Sequence, residues 1–147
     1  MSALGLTDAA TRVRVAVLAM SVNIAVHAAL APMHLSETPY IGVLFMIGNV
    51  ALIAAIGLLS SERGRHAGWL LAGATSVAQI AAFLASRTVG LPQGYRENWA
   101  VSSENMLGWL CLTVELATVL AAVVSLSATS ARPATTDVPS QLVGARR

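Results

Sequence analysis

Lysine is absent from this 147-residue chain: all nine basic residues are arginine, and charged residues make up only 11% of the total. The arginines are scattered and the formal net charge is +2, so there is no basic stripe of the kind that neutralises a run of phosphates. Nucleic acid is therefore excluded as a partner. A single cysteine, Cys111, rules out an internal disulfide, a CxxC redox pair and a cysteine-built zinc site. HExxH, a phosphate-binding glycine loop and a nucleophile motif are also missing, which leaves little in the text to support an enzyme.

Apolar residues fill the space, at 56% of the chain with a mean hydropathy of +0.70, more than a water-soluble fold can hide. Four apolar runs, near 13–34, 39–60, 67–86 and 105–128, are each about the length that crosses a ~30 Å hydrocarbon layer at ~1.5 Å per residue. The predicted fold is an all-α integral membrane four-helix bundle occupying 1–126, followed by a Ser-, Thr-, Ala- and Pro-rich disordered tail over 129–147. Arg12 and Arg14 ahead of the first run mimic a signal peptide, but Pro32 after Ala29-Leu30-Ala31 obstructs cleavage, so the run is read as a retained anchor.

Arginine asymmetry sets the expected orientation. Arg12, Arg14, Arg63, Arg65, Arg132, Arg146 and Arg147 fall on the side of the termini, against Arg87 and Arg96 on the other, which predicts cytoplasmic termini. Trp69 is expected at the inner interface and Tyr40, Tyr95 and Trp99 at the outer one. Gly68, Ala72 and Ser76, and separately Ala74, Ala78 and Ala82, recur every four residues, so two faces of the third helix can admit a neighbouring backbone.

Polar groups inside the runs carry whatever chemistry there is, because each is expensive in lipid and is expected to face the bundle interior. His27, Asn49, Gln79 and Glu115 come from four different helices at similar predicted depths, ~11–16 Å from the outer helix ends, and form a candidate ligand or proton site. His34, Glu37, Arg87 and Glu104 form a candidate outer rim, with Glu37 or Glu104 as expected partners of Arg87. Both layers are expected to line one outward-opening cleft. Pro32 either begins the exit from the first helix or kinks it between the histidines and frees the carbonyl of Ala28.

His27 and His34 lie ~10 Å apart along a regular helix, too far to share one ion unless a break at Pro32 draws them together, and both stand on one helix, which disfavours a haem sandwich. His34, Glu37 and Glu104 make a weak metal candidate through the HxxE spacing of the first two. No cofactor is strongly implied.

The segments HAALAPMHLSETPYIGVLF, SRTVGLPQGYRENW and SENMLGWLCLTVEL resemble a family of small four-helix membrane proteins of GC-rich bacteria. The resemblance covers most of residues 25–120 and rests on His27, on Tyr40 to Phe45, on Ser86 to Pro92 and on Glu115. It implies a fold in the bacterial plasma membrane and no particular activity.

Three functions follow as expectations. One is a structural or accessory protein of the bilayer whose polar layer fixes helix register and whose ordered outer loop between the third and fourth helices docks a partner, another membrane protein or a second copy. Another is an outward-facing site for a cation, proton or small ligand, a blind pocket rather than a channel. The last is an intramembrane acid/base enzyme acting on a lipid-like substrate through Glu115 and His27.

Overall fold

A computed structural model of the chain describes residues 8–102 and 105–130. It contains four long helices, α1 (Ala9–Glu37), α2 (Pro39–Leu59), α3 (Arg65–Arg87) and α4 (Met106–Ser130), with a single turn of 3-10 helix at Pro92–Gly94. All four are long and apolar enough to cross a membrane. The disordered tail expected beyond 129 lies outside the described residues from 131 onward; 129 and 130 still belong to α4.

Local chemistry explains where the helices start and stop. The Asp8 carboxylate accepts a hydrogen bond from the Thr11 amide at 3.2 Å, which caps α1 four residues ahead of its apolar run. Pro32 neither ends α1 nor marks its exit, since the helix continues to Glu37. Thr38 alone separates α1 from α2, and Pro39 sits in the first turn of α2, where its missing N–H has no intrahelical partner to lose. Short junctions of this kind place successive helices antiparallel. Each helix packs on its two sequence neighbours, and α1 closes the ring against α4, where the Arg12 guanidinium donates to Ser125 Oγ at 3.0 Å.

A spacing of alternately three and four residues marks the inward face of every helix. It runs through Ala16, Met20, Asn23, His27 and His34 in α1, and through Ile41, Gly48, Leu52, Ala55 and Leu59 in α2. Trp69, Ala72, Ser76 and Ser86 continue it in α3, and Cys111, Glu115, Thr118, Ala122 and Ser125 in α4. A spacing of this kind is the one by which helices pack along one another at a small crossing angle. Large apolar side chains such as Leu18, Val50, Ile53 and Leu120 stand exposed on the outside. Inverted polarity of this kind suits lipid as the surrounding medium.

The interior is divided along its length. At the end where α1 begins and α4 finishes, Ala16, Met20, Leu52, Ala55, Leu59, Trp69, Ala72, Ala121 and Ala122 form a filled apolar cluster. Trp69 is thus a core residue rather than an interfacial ring. Of the two small-residue rows on α3, Gly68, Ala72 and Ser76 are buried against neighbours, whereas Ala74, Ala78 and Ala82 stay exposed. The other half of the bundle, toward the α1–α2 junction and the α3–α4 loop, is hollow.

Two glycines of α2 distinguish close packing from open surface. A Cβ on Gly42 would lie 2.6 Å from Leu35 Cγ and 2.8 Å from the Leu35 backbone nitrogen, whereas one on Gly57 would meet nothing within 4 Å. Gly42→Ala is expected to destabilise the protein by about 1–3 kcal/mol through overpacking. Gly57→Ala is expected to be neutral or stabilising by up to ~1 kcal/mol through helix propensity. Thermal unfolding in detergent, followed by circular dichroism, checks both; equal midpoints for the two variants would contradict the tight α1–α2 junction.

Candidate functional site

A chamber of about 370 Å³ occupies the hollow half and is lined by all four helices and by the α3–α4 loop. Its floor is a polar network. Asn23 Nδ2 donates to Gln79 Oε1 at 3.0 Å, and Gln79 Nε2 lies 3.1 Å from His27 Nδ1. An amide nitrogen can only donate, so Nδ1 accepts and the neutral imidazole carries its proton on Nε2. Asn23 also lies beside Glu115, whose carboxylate oxygen Oε2 is buried without a partner. Gly48 makes the crossing possible, since a Cβ there would stand 2.8 Å from Gln79 Nε2.

Aromatic rings form the walls. The His27 ring stacks on Phe45 with centroids 4.3 Å apart and planes 11° apart, and His34 meets the same ring edge-on at 5.0 Å. On the other side the Arg87 guanidinium lies over Phe83, 3.6 Å from its centroid. Gly108 leaves the space for that arrangement, because a Cβ would come within 3.1 Å of Arg87 Nη2 and 3.3 Å of Phe83.

The α3–α4 loop closes the end of the bundle. Glu97 forms an ion pair with Arg87 and accepts a hydrogen bond from the Tyr95 hydroxyl. Its backbone N–H donates to Ser86 O at 3.0 Å, and Tyr40 donates to Pro92 O at 2.7 Å, which ties the loop to the start of α2. Arg87 also donates to Ser86 Oγ at 3.1 Å, yet its Nε remains buried and unpartnered, as does His34 Nδ1.

One wall is incomplete. Leu44 and Ile47 of α2 line the chamber and are also 54% and 60% exposed on the outside, and Ala78 and Ala82 opposite them on α3 are exposed lining residues too. The chamber therefore opens sideways between α2 and α3, onto the face that lipid would cover. Leu91, Tyr95 and Glu97 of the α3–α4 loop border its other end, where the cleft was expected to open.

Of the interior candidates, His27, Gln79 and Glu115 meet around the chamber and Asn49 does not. Asn49 stands one residue past Gly48, the inward position of α2, so it turns toward α1 and donates to Ile24 O at 3.2 Å. It lines a separate recess of about 330 Å³ with Ala28 and Pro32, so the proline break faces that recess and not the chamber. Of the rim candidates, His34 and Arg87 line the chamber, Glu37 is exposed and off it, and Glu104 lies outside the described residues. Arg87 pairs with Glu97 and not with Glu37. Among the described residues no three His, Cys, Asp or Glu side chains gather so as to hold a metal ion.

Asn23, Phe45, Tyr95 and Glu97 were not among the sequence candidates. Asn23 precedes His27 by one helical turn, and that spacing was the available signal. Glu97 sits in an irregular loop, where no periodicity could assign it to Arg87. Comparison with family profiles, with curated proteins and with solved structures finds no match, so the functional reading rests on geometry.

The loop cap makes two testable claims. The Arg87 side chain is 3% exposed and that of Glu97 31%, so this pair is worth more than a surface salt bridge and less than a fully buried one. Glu97→Gln is expected to destabilise the protein by about 1–4 kcal/mol, with strong coupling to Arg87→Ala in a double-mutant cycle; additive effects would mean that the two side chains act independently. Burial, and then the hydrogen bond to Glu97 and its charge, push the Tyr95 phenol above its ordinary range. The folded state thus favours neutral phenol: its contribution is intact below the unfolded value of ~10 and is lost as pH rises beyond it. Phenolate absorbance from Tyr95 should therefore appear only with alkaline release of the loop, and Tyr95→Phe should remove that contribution.

Proposed function

We propose that the chain is a multi-pass protein of the bacterial plasma membrane, with cytoplasmic termini, whose bundle holds a binding chamber for a small amphiphile drawn from the surrounding lipid. The observation that carries this reading is the chamber itself, about 370 Å³, bordered by three residues that each keep a buried polar atom without a partner: His34, Arg87 and Glu115. Buried polar atoms are nearly always satisfied, and a group of exceptions around one space suits an occupant that supplies their partners. The volume lies at the small end of the range for ligand pockets, ~300–1,000 Å³.

Two further features support the reading. The side opening between Leu44 and Ile47 on α2 and Ala78 and Ala82 on α3 offers access from lipid rather than from water. The filled cluster around Met20, Leu52 and Trp69 blocks the other end, which favours a blind site over a conduction path. A bundle whose polar layer served only to fix helix register would be expected to fill its interior, as natural cores do. The arginine bias toward the termini supports the orientation.

The test uses 4-phenylbutan-1-ol, a neutral amphiphile, with the full chain in phosphatidylcholine nanodiscs. Saturable binding is expected, and the chamber-filling Ala51→Leu should weaken it by about tenfold or more, a loss of ~1.4 kcal/mol. Ala82→Phe, placed at the side opening, should slow association without lowering stability. Absence of saturable binding, or binding indifferent to both variants, would overturn the reading.

A further inference from the structure

Glu115 lines the deep end of the chamber, is 2% exposed, and keeps its Oε2 without a hydrogen-bond partner. A carboxyl group at this depth needs a proton, a counter-ion or donors around it, since an uncompensated carboxylate away from water is costly. The charged and titratable groups that share the chamber can be assigned one by one. Arg87, the only arginine lining it, is matched by Glu97 at the roof. From α1 come His27, whose Nδ1 is already engaged by Gln79, and His34, seven residues farther toward the roof. From α4 comes Cys111, one turn from Glu115, and from the loop Tyr95, whose hydroxyl is committed to Glu97. Elements α2 and α3 add no further charge to the lining. A carboxyl without a fixed cationic partner therefore closes the deep end of a mostly apolar space with an aromatic wall.

Resting on the binding-chamber reading above, we infer that the ligand is an amphiphilic amine, bound as an ammonium whose N–H groups reach Glu115 and whose apolar body lies against Phe45 toward the side opening. An ammonium supplies three donors and one positive charge, complementing the carboxylate and its unpartnered oxygen together. An anionic ligand would leave the Glu115 carboxyl without a counter-ion or donors. The ammonium can belong to a free amine or to an aminophospholipid headgroup; the chemistry recognised is the same.

Three probes that share one body and differ in the head decide the matter: 4-phenylbutylamine, 4-phenylbutan-1-ol and 4-phenylbutyrate, titrated at neutral pH onto the full chain in phosphatidylcholine nanodiscs. The amine is expected to bind at least tenfold tighter than the alcohol, with the carboxylate weakest. Glu115→Gln should abolish the preference, so that amine and alcohol bind the variant equally, with circular dichroism reporting that the variant is folded. Should that variant fail to fold, the order of the three heads on the unaltered chain still decides. Equal binding of amine and alcohol, or an amine preference that survives Glu115→Gln, would overturn the ammonium site and leave the chamber reading standing. Absence of binding by all three would overturn both. Repeating the titration in discs containing phosphatidylethanolamine separates the sources: competition by the lipid assigns the headgroup, and unchanged amine affinity assigns a free amine.

Discussion

Everything in this structure follows from the need of polar side chains to find one another when the outside of the bundle is apolar. A spacing of three and four residues turns Asn23, His27 and His34 of α1 toward Gln79, Ser86 and Arg87 of α3 and Glu115 of α4. Interhelical hydrogen bonds are individually modest in membranes, averaging ~0.6 kcal/mol, so their weight lies in penalising wrong registers. Rotating α1 by one residue would bring His27 to the outer surface and strand Gln79. Register and polar network thus specify each other.

That constraint acts differently in the two halves. Near the termini, small residues allow the backbones to approach and Met20, Leu52 and Trp69 fill what remains. Farther along, rings and long polar side chains keep the helices apart, and glycines at 48 and 108 admit the Gln79 amide and the Arg87 guanidinium. Space survives there because the network braces the walls without filling the centre. The loop completes the enclosure by bringing the Glu97 carboxylate to a guanidinium that α3 alone would leave buried and unmatched. Desolvation makes such a pair a weak source of net stability and a strong determinant of geometry, since loss of either partner leaves an uncompensated charge. Closure of the chamber and placement of its carboxyl therefore depend on the same economy of buried polar groups.

Much of this was legible in the sequence. Run lengths gave four helices, and equal depths anticipated that His27, Gln79 and Glu115 would meet. Depth is blind to rotation, however, and that is why Asn49 misled: it shares the level of Gln79 but stands one residue, about 100°, from the inward position held by Gly48. Helix ends were misjudged where the signal was local rather than apolar, as at Asp8, whose capping bond lies outside the hydrophobic run. The exit reading of Pro32 fails in the opposite sense, since packing carries α1 past a residue that weakens it. The pairing of Arg87 with Glu97 and the side opening between α2 and α3 depend on loop path and helix separation, which no periodicity records.

The central claim is that the polar groups of α1 and α3 meet inside the bundle. Solid-state NMR dipolar recoupling between the side-chain nitrogen of Gln79 and the ring carbons of His27, in lipid, tests it most directly. The 3.1 Å contact between Gln79 Nε2 and His27 Nδ1 places the nearest ring carbons within roughly 4 Å, so strong dephasing is predicted. No dephasing at mixing times sensitive to about twice that distance would mean that the amide and the imidazole face different surroundings, and the chamber floor would not exist.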